Sequence, residues 1–334
     1  MSACADLRGR GGARRVLGAL QLALAVGLLY LLFTSIPWAD EIAPDGERVP
    51  GLRSQLARIS GGSFLLATAL ACAWTLAMSV RWRLLTGVLG LSLTLGRAIR
   101  LNLAGHAASQ VLLGSVGGDL LRGALVAQGD ASLAGRTQLV FAMIMDRLIG
   151  LAALLAIGVA AASAEPWARA ELGPWLGVVL GALLVALWIA FRLGAGAGPG
   201  ADAGRLRRMA HSVRAALVSY RAHPGALAGA FLLSLASHVA LMLAVASIGR
   251  SLGIDVPLSR YLVLQPIIES VQAIPISPGG WGVAETLFVG LYGRAGVDAT
   301  AALSLALGAR AVRLTQALLG VLALVPFWRT IRAR

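Results

Sequence analysis

Two stretches decide the fold: residues 98–122, AIRLNLAGHAASQVLLGSVGGDLLR, and residues 261–285, YLVLQPIIESVQAIPISPGGWGVAE. Each opens with an apolar leader that is too short to cross a bilayer. Residues 98–113 would make a helix of about 24 Å, against a hydrocarbon core of roughly 30 Å. Each leader ends in a tip rich in Gly or Pro. The first is Gly114-Ser115-Val116-Gly117-Gly118-Asp119; the second is Pro275-Ile276-Ser277-Pro278-Gly279-Gly280. A second short helix follows each tip, the first beginning near Asp119. The pattern predicts two re-entrant hairpins. Irregular backbone at membrane depth requires protein or a water-filled cavity around it, so both tips should face a shared interior.

The chain around these hairpins is membranous throughout. Hydrophobic residues make up 58% and charged residues 13% of its 334 residues, against about 25% charged in soluble domains. Continuous apolar runs, with no alternation, read as helices and exclude a β-barrel. Six full spans are predicted at 16–36, 63–80, 138–162, 173–191, 225–248 and 299–327. Arg8, Arg10, Arg14 and Arg15 place the N-terminus in the cytoplasm by the positive-inside rule. The apolar run after them lacks a small-residue cleavage site, so it reads as a retained span. The acidic segment 37–62 is then outside, and Val49, Leu52, Leu56 and Ile59 suggest a short amphipathic helix there. Arg81 and Arg83 would close the second span on the cytoplasmic side. The largest loop, 192–224, carries Arg205, Arg207, Arg208, Arg214 and Arg221 and reads as cytoplasmic, with a flexible Gly/Ala-rich start at 194–204. Arg329, Arg332 and Arg334 put the C-terminus inside as well. The expected class is therefore an all-α polytopic membrane protein of six full spans plus two oppositely oriented re-entrant hairpins. The alternative is eight spans.

The two halves, 16–163 and 173–327, repeat one another. Each has two spans, a hairpin and a third span, within a single membrane domain covering 1–334. Asn102 precedes Gly117 by fifteen residues, and Gln265 precedes Gly280 by fifteen. Three spans per half would set the halves in opposite orientations. Inverted repeats with broken helices are a common transporter architecture.

The net charge of +14 comes from arginine alone, since there is no lysine. A GC-rich genome accounts for that usage as readily as phosphate recognition does, so position must decide. Arg147, Arg310 and Arg313 fall deep inside predicted spans, where a charge costs at least ~2.5–3.5 kcal/mol. Asp146, Glu269 and Glu285 are the acidic candidates beside them. Either these residues form internal salt bridges or they build an anion site. Arg310 and Arg313 are three apart and share a helix face, which would suit a phosphate. Asp119 and Arg122 flank the first tip, Asp119 as a ligand-side group or a helix cap. His106 and His238 lie in apolar stretches, as buried histidines or a proton relay. Cys4 and Cys72 can build neither a disulfide framework nor a metal cluster. No cofactor or metal is expected. Nucleic acid is not an expected partner, because the basic residues sit beside spans. No hydrolase or nucleotide-binding pattern sits in a supporting context.

The run Leu112 to Arg122, then Asp146-Arg147-Leu148-Ile149-Gly150, then Pro275 to Glu285, resembles the motif series of the lysylphosphatidylglycerol synthase/flippase transmembrane family. The likeness extends from about Val16 to Phe327. Two positions depart from it: the family often has Pro where this chain has Leu113, and Arg where it has Ala284. The resemblance implies the fold and the flipping of an anionic phospholipid or polyprenyl-linked lipid across a bacterial cytoplasmic membrane. The sequence runs only a few residues past the last span, so no aminoacyl-transferase domain and no lysine-transfer enzyme activity are expected. A homodimer is compatible with this reading. Two other functions stay open. One is an integral glycosyl- or phosphotransferase using Asp40-Glu41 as its acidic pair; the other is an accessory subunit of a lipid-modifying complex.

Overall fold

A computed structural model describes residues 2–42, 48–112, 114–127, 133–193 and 205–332. Helices dominate. The first half holds α1 (Ser2–Ser35), a two-residue hairpin pair β1 (Glu41–Ile42) and β2 (Arg48–Val49), α2 (Leu52–Ala57), α3 (Gly61–Val88), α4 (Leu95–Val111), α5 (Gly114–Ala127) and α6 (Leu133–Ala164). The second holds α7 (Pro166–Glu171), α8 (Gly173–Leu193), α9 (Arg205–Ala222), α10 (Pro224–Ser251), α11 (Leu258–Gln272), a 3₁₀ turn at Pro278–Gly280, α12 (Val283–Arg294) and α13 (Ala299–Arg332).

Local chemistry sets the helix ends. The Ser60 hydroxyl accepts the Ser63 amide at 3.1 Å and starts α3, satisfying one of the orphan donors of a first turn. Thr94 does the same for α4 through the Arg97 amide. Pro224 begins α10, where its missing N–H removes no hydrogen bond.

Five described helices are long and apolar enough to cross a membrane: Gly18–Ser35, Gly61–Val88, Gly135–Ala164, Pro224–Ser251 and Ala299–Leu324. The sixth expected span coincides with α8, whose apolar part, Gly173–Ile189, is shorter. The chain is thus an all-α polytopic membrane protein, apart from the two-residue strands. The second span differs from expectation at its end. α3 continues seven residues past Arg81, to Val88, and Arg81 is buried inside the bundle. Its charge has a carboxylate partner in the tertiary structure, which linear hydropathy cannot register.

The two short-helix pairs are present. α4 packs on α5, and α11 on α12. The first tip departs from expectation: α5 starts at Gly114, so Gly117, Gly118 and Asp119 lie within the helix. No free helix N-terminus sits at Asp119. Gly118 is required by close approach, since a Cβ there would lie 2.4 Å from the Gly105 carbonyl oxygen of α4. The second tip is irregular. Gly279, Gly280 and Gly282 take positive φ values of 59°, 70° and 79°, a region open to glycine at little cost. The tips touch each other, with the Gly279 amide donating to the Leu112 carbonyl at 3.3 Å.

The packing pairs exchange between halves. α3 packs on α10; α4 packs on α13 while α11 packs on α6; α3 packs on α13 while α10 packs on α6. Swapping the halves maps α3–α10 onto itself and exchanges the members of the other two sets. The approach is close because small residues line it. Gly320 of α13 leaves no room for a Cβ, which would lie 2.0 Å from the Leu103 carbonyl of α4. Small residues let helix backbones meet when no hydrophobic force separates lipid from protein.

Two peripheral elements also gain tertiary roles. Leu52 of α2 is buried with Ile36 and Leu303, so this expected surface helix packs on the bundle. The basic 192–224 segment contains α9, whose Ala216 and Tyr220 pack against α3 and α6 residues. The Tyr220 hydroxyl donates to the Leu85 carbonyl at 2.9 Å. The expected flexible stretch 194–204 lies outside the described residues.

Candidate lipid-headgroup cavity

A cavity of about 500 Å³ opens between the halves. Its walls come from α3, α4, α5 and α6 on one side and from α10, α11, the second tip and α13 on the other. Four arginines line it, Arg81, Arg122, Arg147 and Arg313, against three carboxylates, Asp119, Asp146 and Glu269. The lining therefore carries one net positive charge.

The first half contributes a chain of alternating charges. The Arg81 Nε donates to Asp146 at 2.7 Å, and its Nη1 donates to the Ser234 hydroxyl of α10 at 2.8 Å. The other Asp146 oxygen lies 3.9 Å from Arg122. Arg122 also pairs with Asp119 at 2.7 Å, donates to the Asn102 carbonyl oxygen and sits 4.7 Å over the Trp82 ring. Asn102 passes the network on to the Ser79 hydroxyl at 2.9 Å. Arg147 completes it by donating to the second Asp119 oxygen at 2.6 Å. Buried charges must be paired and hydrogen-bonded in this way, because desolvation costs several kcal/mol per ion. Arg147 lies at the accessible end, with its side chain 42% exposed.

The second half contributes less to the cavity and more to its own tip. Arg313 pairs with Glu269 and donates to the Gln272 side-chain oxygen, all three lining the cavity. Arg310 is not among the lining residues. It is buried, pairs with Glu285 at 2.5 Å, and donates to the Gly279 and Gly280 carbonyls at 3.1 and 3.2 Å. It also lies 3.9 Å over the Trp281 ring. Glu285 in turn accepts the Gly282 amide at 2.8 Å. Arg310 therefore clamps the second tip. The two arginines on one α13 face reach different carboxylates, not one shared anion. Spacing on a helix gives a shared face, but it says nothing of what the neighbouring helices present.

The other candidate positions separate likewise. Gly118, Gly279 and Gly280 line the cavity; Gly117, Ser277 and Pro278 do not, and Ser277 is buried with its hydroxyl donated to the Trp281 carbonyl. Gly114 begins α5, and the side-chain surroundings of Gly114 and Ser115 lie outside what is described. Ala284 is buried where relatives often have Arg. His106 lines the cavity and stacks on Trp74 at 4.8 Å, and His238 meets the Gly150 carbonyl at 3.1 Å. The residue that sequence reasoning passed over is Arg81. The signal was available: an arginine twenty residues past the start of a run that stays helical, opposite an aspartate in another apolar run.

The Asp40-Glu41 pair lies apart from this cavity. Asp40 accepts from Arg48 at 2.9 Å and from the Gly51 amide at 2.9 Å. Hydrogen bonds from Ser54, Gly51 and Arg48 hold its carboxyl down, to about 2, against a smaller opposing effect of burial. Among the described residues no cluster of His, Cys, Asp and Glu could hold a metal ion.

No curated protein is similar enough to match the chain. Residues 18–320, however, match the family model described as the lysylphosphatidylglycerol synthase TM region. That match takes in both short-helix pairs and every wall of the cavity, and the chain belongs to this family of membrane proteins with a lipid-related role.

Proposed function

We propose that the protein translocates an anionic phospholipid or lipid-linked headgroup across the cytoplasmic membrane of a bacterium. The observation that carries this reading is the cavity between the halves, with arginines in excess of carboxylates inside a bundle of apolar helices. The headgroup enters the cavity and the acyl chains stay in lipid. Arg147 and Arg313 are the contact arginines. Asp119 and Glu269 hold them in place and release donors as the anion arrives. The protein acts as a carrier, not an enzyme.

The mechanism is alternating access by two inverted repeats. The exchange of packing partners between halves supports the repeat. The lengths of α4, α5, α11 and α12 support re-entrant hairpins: 17, 14, 15 and 12 residues, about 18–26 Å each. The first hairpin enters from the cytoplasm and the second from outside, with both termini inside. The contact between the tips is then the point at which rocking opens one side and closes the other.

Proteoliposomes test both layers. The double variant Arg147→Ala/Arg313→Ala should lower the flipping rate of a fluorescent anionic phospholipid by about tenfold or more, since a charged hydrogen bond contributes roughly 1.5–3 kcal/mol. An unchanged rate would leave the protein as an accessory subunit. Single cysteines at Ser92 and Asp255, both exposed between helices, should react with impermeant thiol reagents from inside and outside respectively. Labelling of the Asp255 position from inside would instead favour eight spans.

A further inference from the structure

The exposed part of the cavity lining is confined to one rim. Of the described residues that line the cavity, three are exposed: Val116 on α5, Arg147 on α6 and Ala273 directly after α11. They belong together. The Arg147–Asp119 pair joins α6 to α5 one turn from Val116, α11 packs on α6, and the second tip packs on α5. Exposed apolar residues continue outward on each side. Val116, Leu120 and Ala124 are spaced by four and form one stripe along α5. Val140 and Ile144 lie seven and three residues before Arg147, on the same face of α6. Ile274 and Pro275 extend the third side.

Water is a poor match for that rim. A mouth for water or a free anion would present polar side chains, whereas this one presents Val, Leu and Ile around a guanidinium. The two sides of α5 differ: Asp119 and Arg122 line the cavity, and Leu120 and Ala124 do not. Arg147 stays 42% exposed although it is paired with Asp119, and a charge within a membrane-spanning helix is costly away from polar partners. A phosphate at Arg147, with its hydrocarbon along the stripe, suits both features. The α5 stripe covers eight residues, about 12 Å, close to the ~15 Å depth of one leaflet. That length fits an acyl chain, which ends at the midplane.

We infer that the seam between α5 and α6 is the lateral portal of the cavity and an acyl-chain slot: the phosphate of an anionic phospholipid reaches Arg147 while one chain lies along Val116, Leu120 and Ile144. This deepens the translocation reading and rests on it. The Arg147–Asp119 pair crosses the seam, so an arriving phosphate competes with Asp119 for the guanidinium as it enters. By contrast, Val178 and Val185 on α8 are exposed without lining the cavity, and bulk lipid covers them.

The test uses the full chain in phosphatidylcholine vesicles that carry a phospholipid with a diazirine in its acyl chain, either phosphatidic acid or phosphatidylcholine. Sites of photolabelling are mapped by mass spectrometry. The phosphatidic acid probe should label Val116, Leu120 and Ile144 about tenfold more than the phosphatidylcholine probe, the factor that one charged hydrogen bond supports, and Arg147→Ala should remove the difference. Val178 and Val185 should label equally with both. Leu120→Trp should narrow the portal and slow the flipping of fluorescent phosphatidic acid by about tenfold or more, while Val185→Trp leaves it unchanged. Unlabelled phosphatidic acid should displace the label better than a polyprenyl phosphate; the reverse order gives the slot to a prenyl chain and overturns the assignment. A disulfide between two copies of Leu120→Cys, with Cys4 and Cys72 replaced, gives the face to a second copy and overturns it too. Equal labelling of the seam by both probes, with flipping intact, removes the slot and leaves translocation standing. Selective labelling without flipping above that of empty vesicles removes translocation and keeps the slot. With neither, both fail.

Discussion

Glu285→Gln separates the structural arginine from the cavity-lining ones. Glu285 is fully buried and Arg310 nearly so, with 2.5 Å between them. The amide keeps the shape of the carboxylate; with its one oxygen on the Gly282 amide the cap on α12 survives, and its NH2 group then replaces the oxygen that accepted from Arg310 Nε. What disappears is the negative charge facing Arg310. Breaking a buried pair by removing one partner costs about 3–5 kcal/mol, because the other charge stays uncompensated. The Gly279 and Gly280 carbonyls and the Trp281 ring still hold Arg310, so the lower end, about 3 kcal/mol, is expected. At roughly 2 °C per kcal/mol for a large domain, the thermal midpoint of the detergent-solubilised protein should fall by about 6 °C. Arg147→Ala, at the accessible end of its network, should shift the midpoint by no more than about 2 °C, as exposed pairs contribute ~0–1 kcal/mol. A midpoint for Glu285→Gln within 1 °C or so of the parent, accompanied by tighter lipid binding, would refute the reasoning. It would mean that Arg310 had been held back from the substrate, not committed to the tip.

The helix contact between α4 and α13 should resist any side chain at Gly320. Gly320→Ala places a methyl 2.0 Å from the Leu103 carbonyl, and overpacking of this kind costs about 1–3 kcal/mol; Gly181→Ala on α8, with nothing within 4 Å, should be neutral or slightly stabilising. The two thermal midpoints compare directly, and equal midpoints would undo the packing argument. The loop before α2 should carry a pH signature from Asp40, whose pKa falls from 3.8 to about 2 on folding. A depressed carboxyl stabilises the fold fully above its unfolded value and loses that contribution as pH drops through the folded value, so the loop loosens between about pH 4 and pH 2. Hydrogen exchange of the peptide spanning Gly51, corrected for intrinsic rate, should show that loosening in the parent and no such step in Asp40→Asn.

The sequence by itself determined the solvent and therefore the class. Apolar runs at 58% hydrophobic content leave helices in lipid as the only outcome for this backbone. It also located the two pairs of short helices, α4–α5 and α11–α12, because their leading segments are visibly too short to span and Gly or Pro follows each. It named most of the charges at depth, since a charge in an apolar run is conspicuous on insertion cost alone. Tertiary structure decided what each charge does. Arg81 reads as a span end from hydropathy, yet it is buried against Asp146 and Ser234. Arg310 and Arg313 are equivalent on the helix face that sequence describes, yet one clamps a tip and the other lines a cavity. The need for glycine at Gly118 comes from its contact with Gly105 of α4, a contact between helices. Period and composition are properties of a single segment, so one segment is enough to read them. Whether a charge is a structural strut or a ligand arm depends on which side chain a neighbouring helix brings within 3 Å, and only the packed bundle fixes that.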